Sequence, residues 1–305
     1  MKTPKWFLEK SPTAYLLWPV GIIYYCFSKL VYFYRLFGQK SSKRPVICIG
    51  NILAGGVGKT PIVLEIANYL KSPVVMRGYK KSGETAEMGD EAKMLTHAGI
   101  DVLVGSRKNS VKLLNNKKSK TPIVMDDGFQ NPTVKKNLSI LVFDENIGIG
   151  NGFLLPAGPL REPLFSIKRA DAVIVIKGKD SLPRENYGRY GKPVFYATKK
   201  NIMPKNNGRI IAFAGIGYPQ KFFNEIIPRA IEEKSFPDHY QYNKSDLNNL
   251  LLLAKREQAD LVTTEKDWVR IPLDFQKSIK VAKLETNIEP SFWQWLELKI
   301  KEKNK

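Results

Sequence analysis

Ile47-Cys48-Ile49-Gly50-Asn51-Ile52-Leu53-Ala54-Gly55-Gly56-Val57-Gly58-Lys59-Thr60 is the stretch that decides how this chain of 305 residues is read. An apolar, strand-like run ends at Gly50, a glycine-rich turn follows, and a helical pattern begins at Pro61. Glycines let successive backbone N–H groups turn inward on phosphate oxygens without a clash at Cβ. The helix N-terminus adds its dipole, Lys59 is placed to reach β- and γ-phosphates, and the Thr60 hydroxyl suits Mg²⁺. Pro61 costs nothing, because a first-turn N–H has no helical partner. The usual phosphate-loop pattern opens with glycine where this chain has Leu53, and Gly55 and Gly56 supply the flexibility instead. The expected nucleotide-binding residues are Leu53, Ala54, Gly55, Gly56, Val57, Gly58, Lys59 and Thr60.

A second anchor is Pro122-Ile123-Val124-Met125-Asp126-Asp127-Gly128, an apolar run ending on two carboxylates. A carboxylate at such a strand end holds Mg²⁺ directly or through water, which makes Asp126 and Asp127 metal candidates beside Thr60. Asp-Gly is also a common turn pair, so the run alone fits an ordinary strand-end turn as well.

Outward from these motifs, short β-branched runs alternate with amphipathic stretches. Strands are expected over 46–49, 74–77, 102–104, 123–125, 138–143 and 172–176, with helices over 61–70 and 89–98. Beyond a turn-rich basic stretch come strands over 210–214, 261–264 and 279–284, and helices over 219–231, 245–255 and 291–300. Buried β-branched runs between helices indicate a parallel, doubly wound arrangement. The expected class is α/β: a P-loop NTPase-like, mostly parallel sheet flanked by helices, a second smaller α/β domain and an N-terminal membrane-associated helix. Residues 1–40 form the aromatic N-terminal segment, 41–185 the core, 186–208 a linker, and 209–305 the smaller domain.

The N-terminal segment stands out. Trp6, Phe7, Tyr15, Trp18, Tyr24, Tyr25, Phe27, Tyr32, Phe33, Tyr34 and Phe37 crowd into it, and residues 11–28 carry no charge. A spanning helix needs about 20 mainly apolar residues, and here Pro19 and Gly21 interrupt a run dominated by Tyr and Trp. Those side chains favour the headgroup region, and Lys29 and Arg35 are spaced to reach lipid phosphates. The segment reads as a membrane-interface anchor; the competing reading is an aromatic helix packed on the protein's own core.

Lysine and arginine number 49 against 29 acidic residues, a net charge of +20. That balance points to an anionic partner (nucleic acid, acidic lipid or a phosphorylated substrate), and a solvated basic surface accounts for it equally well. The lysines are spread along the chain rather than gathered in one stripe, which argues against nucleic acid. The two cysteines, Cys26 and Cys48, exclude a disulfide framework and a four-cysteine zinc site, and the chain reads as cytosolic or cytosol-facing.

A phosphate loop alone serves ATPases, GTPases, partition motors and kinases alike. Further clusters separate them: Arg77-Gly78-Tyr79, Gly89-Asp90-Glu91, Asp126-Asp127-Gly128-Phe129-Gln130, Leu155-Pro156-Ala157-Gly158-Pro159-Leu160-Arg161-Glu162-Pro163, Ala214-Gly215-Ile216-Gly217, Phe236-Pro237-Asp238-His239 and Thr264-Glu265-Lys266-Asp267. In that order they closely resemble the tetraacyldisaccharide 4'-kinase family, over nearly the whole chain. The resemblance implies transfer of the ATP γ-phosphate, with Mg²⁺, to the 4'-hydroxyl of a tetraacylated glucosamine disaccharide 1-phosphate, giving lipid IVA. It implies the cytoplasmic face of a bacterial inner membrane, an anionic membrane surface as partner, no nucleic acid and no obligate protein partner. By the same resemblance Asp90 matches the catalytic base and His239 the histidine that orients it, in the second domain. Arg161 is a candidate phosphate clamp and Glu162 a candidate Mg²⁺ support; a surface ion pair explains both as well. Asn131 departs from the family, which usually has histidine there, and His97 lies outside every motif.

Two other classes compete. A membrane-associated partition-type or chaperone ATPase calls for a second catalytic lysine in the loop, where only Lys59 is present. A nucleic-acid-dependent ATPase fits the charge but not the aromatic N-terminus.

Overall fold

A computed structural model describes residues 4–78, 88–178, 185–205, 208–226 and 230–303. The chain falls into two units, 3–198 with 286–305, and 199–285. The larger begins with a single 3₁₀ turn and helix α1 (Pro12–Leu36), followed by β1 (Val46–Gly50), α2 (Lys59–Leu70), β2 (Val74–Arg77), α3 (Asp90–His97), β3 (Val102–Gly105), α4 (Arg107–Asn115), β4 (Ile123–Asp126), β5 (Leu138–Asp144) and β6 (Ala172–Ile176). The chain leaves it within β7 (Val194–Ile202). The smaller unit holds β8 (Ile210–Ala214), α5 (Pro219–Ile226), β9 (Ala230–Ser235), α6 (Lys244–Arg256), β10 (Asp260–Thr264), α7 (Glu265–Trp268) and α8 (Leu273–Gln276). Within β11 (Lys280–Ile288) the chain returns, and α9 (Pro290–Lys303) closes it.

Strand order in the larger unit is β3-β2-β4-β1-β5-β6-β7, every pair parallel. All residues of β1, β4, β5 and β6 are buried, as expected of a sheet covered on both faces. Alternation within β1 sorts its side chains between two cores. Ile47 and Ile49 pack with α2, α3 and α9, while Cys48 joins Phe129, Phe143 and Leu160 on the other face. Strands of the smaller unit run β11-β10-β8-β9, also parallel.

Three elements depart from the sequence reading. The helix expected over 219–231 ends at Ile226, and β9 takes Ala230–Ser235 as a strand beside β8; Ile227-Pro228 is the overlooked signal, because a residue before proline disfavours the helical region. The stretch read as a linker contains β7, whose burial alternates along its length. The 209–305 segment is divided: α9 buries Phe292 and Leu296 in the core with Ile47 and Ile62, at about 1.5–3 kcal/mol for each side chain, and so belongs to the larger unit.

Helix α1 is continuous through Pro19 and Gly21. Ser11 caps it, its Oγ accepting from the Ala14 N–H at 3.3 Å, and Pro12 occupies the first turn, where no N–H is needed. Its 25 residues are long and apolar enough to cross a membrane, by length and composition. Only Ala14 and Gly21 are buried, so the reading of an aromatic helix packed within the protein's own core does not describe it. Gly21 allows the close approach: a Cβ there would lie 3.2 Å from the Leu154 carbonyl oxygen. Lys29 reaches Glu162 at 2.9 Å, and Tyr15 meets Phe153 edge-on.

Candidate active site

Parallel pairing brings the two sequence motifs side by side. Strands β1 and β4 are neighbours with Ile49 opposite Asp126, and the Asp127 N–H donates to the Ile49 carbonyl at 2.8 Å. The loop after β1 and the carboxylates after β4 therefore emerge together at the carboxyl edge of the sheet, where open α/β sheets bind ligands.

Within the loop the expected residues divide by role. Leu53 and Val57 are buried in the core, and the Ala54 N–H is committed to the Pro159 carbonyl at 2.7 Å. Gly55 has a φ of 103° and Gly58, which precedes α2, a φ of 67°; both are left-handed conformations that favour glycine. Around Gly55 and Gly56 a side chain would meet nothing within 4 Å. The accessible part of the loop is thus its glycine pair and the start of α2, with Lys59 and Thr60.

Lys59 Nζ lies 3.2 Å from Asp127 Oδ1, and Arg161 Nη1 lies 3.1 Å from Asp127 Oδ2. Burial raises the Asp127 pKa, but Lys59 and Arg161 outweigh it and hold the group below the usual carboxylate range. Asp126 differs. Burial, reinforced by Glu91 and Asp127 and opposed by Lys59 and Arg107, pushes it up to about 7. Its Oδ1 is buried without a hydrogen-bond partner, an arrangement that costs about 1–3 kcal/mol unless something satisfies it. The side-chain amide of Asn51, at the mouth of the loop, is orphaned in the same way.

Three further residues support the site in ways that the sequence reading did not assign. Arg107 Nη2 donates to the carbonyls of Asp126 and Asp127, at 3.1 and 2.7 Å, fixing the backbone under both carboxylates. Gln130 Nε2 bridges back to the Asn51 carbonyl at 2.8 Å. Lys136 Nζ donates to the carbonyls of Gly128, Phe129 and Asn131 at 2.9–3.0 Å. Arg107 and Lys136 lie outside every recognisable motif, and only folding shows their use. Asn131, where the family pattern has histidine, caps a turn by accepting from the Thr133 N–H at 2.9 Å.

Glu162 is not gathered to the two aspartates. Its carboxylate is buried and held by Lys29 at 2.9 Å, Ser166 at 3.1 Å and Arg169. The string 155–163 therefore serves two tasks: its inner residues Pro159 and Arg161 bond to the phosphate loop and Asp127, whereas Pro156 and Glu162 on either side of them bind the N-terminal segment. Among the described residues no group of three His, Cys, Asp or Glu side chains is positioned to hold a metal. A cation here needs the Thr60 hydroxyl, ligand phosphate oxygens and water beside the aspartates, the pattern Mg²⁺ favours.

Asp90 is the first residue of α3 and partly buried, with Glu91 beside it close enough to act on Asp126. Tyr79, of the cluster beginning at Arg77, lies outside the described residues. His97 ends α3 on the surface. His239 belongs to the smaller unit, where the remaining clusters converge. Asp267 accepts from the Gly215 N–H, Tyr242, Thr264 and Arg270, and Arg270 reaches His239 Nδ1 at 3.3 Å.

Comparison with known proteins gives concordant results. A family model described as LpxK, tetraacyldisaccharide-1-P 4'-kinase, matches residues 13–301. A tetraacyldisaccharide 4'-kinase of Methylobacterium nodulans is 37% identical over 88% of this chain and 86% of its own length. One from Methylorubrum extorquens is 38% identical over 92% and 93%. In structure, the chain is similar to LpxK from Aquifex aeolicus, solved in complex with ATP, at a TM-score of 0.73 and 26% identity, covering 95% of this chain and 99% of that one.

Proposed function

The chain belongs to the tetraacyldisaccharide 4'-kinase family, and from that membership we infer that it transfers the γ-phosphate of ATP to the 4'-hydroxyl of a tetraacylated glucosamine disaccharide 1-phosphate, forming lipid IVA. The observation that carries this reading is the meeting of Lys59, Arg161 and Asp127 beside the buried, partnerless oxygen of Asp126. Cations arranged around a glycine loop suit phosphate oxygens, and an orphaned carboxylate oxygen suits a divalent cation.

The residues present fit both ATP and Mg²⁺. Backbone N–H groups of residues 55–60, with Lys59 and Arg161, would bind phosphates; Thr60, Asp126 and Asp127 would hold the ion. When bound, Mg²⁺ neutralises charge on the transferring phosphoryl group. A sugar hydroxyl is a weak nucleophile and needs a base. Asp90 takes the proton of the 4'-hydroxyl as the new O–P bond forms and the bond to the β,γ-bridging oxygen breaks, leaving ADP. For His239 we infer only the part that the family resemblance implies, support of this base. Glu162 we assign to holding α1 through Lys29, a role its three partners favour over a metal ligand.

Helix α1, with its outward aromatic side chains, keeps the enzyme on the membrane that holds a four-chain lipid, at the cytoplasmic face of the bacterial inner membrane. The surplus of 20 positive charges suits anionic headgroups and the substrate's 1-phosphate. The test is incubation of purified protein with Mg²⁺, γ-labelled ATP and the disaccharide monophosphate in detergent micelles. Label in the lipid product is expected; label appearing only as free phosphate, as an ATPase would release it, rejects the assignment.

A further inference from the structure

The two outer faces of the larger unit differ in charge. Val46 and Cys48, two apart on β1, point to one side of the sheet. Val46 packs there with Val111 and Leu114 of α4, and Cys48 with Leu160 and Ile167 of the segment that carries α1. Helix α1 rests on that segment through Gly21 at Leu154, Lys29 at Glu162 and Tyr32 at Arg169. Helices α1 and α4 therefore cover the same side, while α2, α3 and α9 cover the other with Ile47 and Ile49. Residues 37–44 join the first pair. Gln39 Nε2 donates to the Pro132 carbonyl at 2.8 Å, Asn115 Oδ1 accepts from Ser42 and Lys43, and Arg44 is buried against the carbonyls of Leu114 and Thr121.

No acidic residue occurs between Glu9 and Glu65, between Asp101 and Asp126, or between Asp127 and Asp144. These three runs meet on the side of α1 and α4. The Lys40 N–H donates to the Thr133 carbonyl at 2.9 Å, and a Cβ on Gly38 would lie 3.2 Å from Lys108 Nζ. Arg35, Lys40, Lys43, Lys112 and Lys135 are exposed along this strip, Lys108 is half-buried, and Phe37 at its start is 94% exposed. Helices of the opposite side mix their charges: α2 has Glu65, α3 has Asp90 and Glu91, and α9 sets Glu297 and Glu302 among its lysines. A merely solvated surface needs no such sorting of acids to one side. Contact with a planar anionic surface does, because a carboxylate within a Debye length of about 10 Å weakens the attraction.

We propose that residues 37–43 and α4 form the electrostatic part of the membrane contact, with Lys108 and Lys112 meeting the headgroup phosphates of anionic phospholipids while apolar side chains of α1 enter the bilayer. The strip is continuous with α1, and surfaces of this kind add attraction for anionic lipid to the burial of apolar area. The consequence is orientation. Arg107, next to Lys108, donates to the carbonyls of Asp126 and Asp127. A headgroup contact at the start of α4 thus holds the phosphate-loop edge of the sheet close to the bilayer, where a four-chain lipid presents its sugar. This deepens the reading above, in which α1 keeps the enzyme on the membrane, and the orienting role rests on that reading.

Sedimentation of the full-length protein with vesicles tests it, using phosphatidylcholine alone and phosphatidylcholine mixed with phosphatidylglycerol at about 0.1 M salt. Wild type is expected to bind the mixed vesicles more tightly. At about fivefold per lysine near an anionic surface, Lys108→Gln with Lys112→Gln should weaken that binding about thirtyfold. Binding of this variant to the neutral vesicles, and its kcat in neutral detergent micelles, should not change. Lys301→Gln with Lys303→Gln makes the same change of net charge on α9, on the opposite side, and should cost less than about threefold. An undiminished affinity of the Lys108, Lys112 variant for mixed vesicles, an equal loss in the α9 variant, or capture of duplex DNA by wild type in preference to mixed vesicles overturns the proposal. If wild type ignores neutral vesicles yet takes mixed ones through Lys108 and Lys112, the α1 anchor fails and the strip stands. Equal affinity for both kinds of vesicle does the reverse.

Discussion

Asp126 and Asp127 are consecutive in the chain and opposite in electrostatic environment. Asp127 faces Lys59 and Arg161 and stays ionised; Asp126 points inward, with one oxygen unpartnered, and is pushed up to about 7. Neighbouring groups whose pKa values are driven apart in this way mark sites where charge is managed for chemistry.

Replacing Asp126 by Asn should stabilise the metal-free protein in a pH-dependent manner. The folded value of about 7 lies above the ordinary 3.8, so wild-type folding takes up a proton between them. The stability linked to that proton is present below pH 4 and lost as pH rises through 7. Asp126→Asn should thus gain about 4 kcal/mol over wild type at pH 8 and almost nothing at pH 4. Urea midpoints at the two pH values measure it, and an equal gain at both would show that Asp126 is not buried in the ionised form.

Lys59→Met should lower kcat/KM by about 10²–10³ while changing unfolding stability by less than ~1 kcal/mol. The asymmetry follows from the 3.2 Å pair with Asp127, which Arg161 also satisfies. Kinase assays and chemical unfolding on one preparation test it; a large loss of stability would recast Lys59 as structural.

Two glycines of the same stretch should respond differently. A Cβ on Gly50 would lie 2.7 Å from Phe129 Cβ, just beyond the two aspartates, whereas one on Gly56 meets nothing. Gly50→Ala should cost about 1–3 kcal/mol. Gly56→Ala should leave stability within ~0.5 kcal/mol and weaken ATP binding, because the methyl group occupies the open face of the loop. Calorimetric titration with ATP, alongside thermal melts, separates the two effects.

Glu162→Gln removes the charge that joins Lys29 and Arg169. We expect a loss of about 3 kcal/mol and faster protease cleavage within residues 9–40. The Mg²⁺ concentration for half-maximal activity should stay the same; a tenfold rise would restore Glu162 to the metal site.

Asp90→Asn and His239→Ala should each reduce kcat by at least 10², and the double variant should be little worse than either alone, since groups acting as a unit are non-additive. Fully additive losses would show that the two act independently.

Local chemistry made much of this protein legible in its sequence. β1, β6 and β8 stand where β-branched runs placed them, because a strand buried on both faces must be apolar throughout. The glycine loop was readable for a similar reason: a lysine-threonine pair opening a helix after glycines has few other uses. β9 and α9 were less so. A short amphipathic run satisfies helix and strand equally until a neighbouring strand exists to pair with it, and a terminal helix carries no mark of the unit it packs on. Glu162 shows the same limit for side chains, since its spacing from Arg161 says nothing about Lys29, which is distant in sequence and reaches it only through α1.

By itself, then, the sequence determined the class of fold, the phosphate loop with Lys59 and Thr60, and the strand-end carboxylates. Those properties depend on residues adjacent in the chain, where backbone conformation and side-chain type suffice. Tertiary structure alone decided that Asp126 is buried and Asp127 paired, that Arg107 and Lys136 hold the backbone around them, and that Arg270 grips His239. Such properties depend on distances across the fold and on exclusion of water, and neither exists until the strands pair and the chain closes over them.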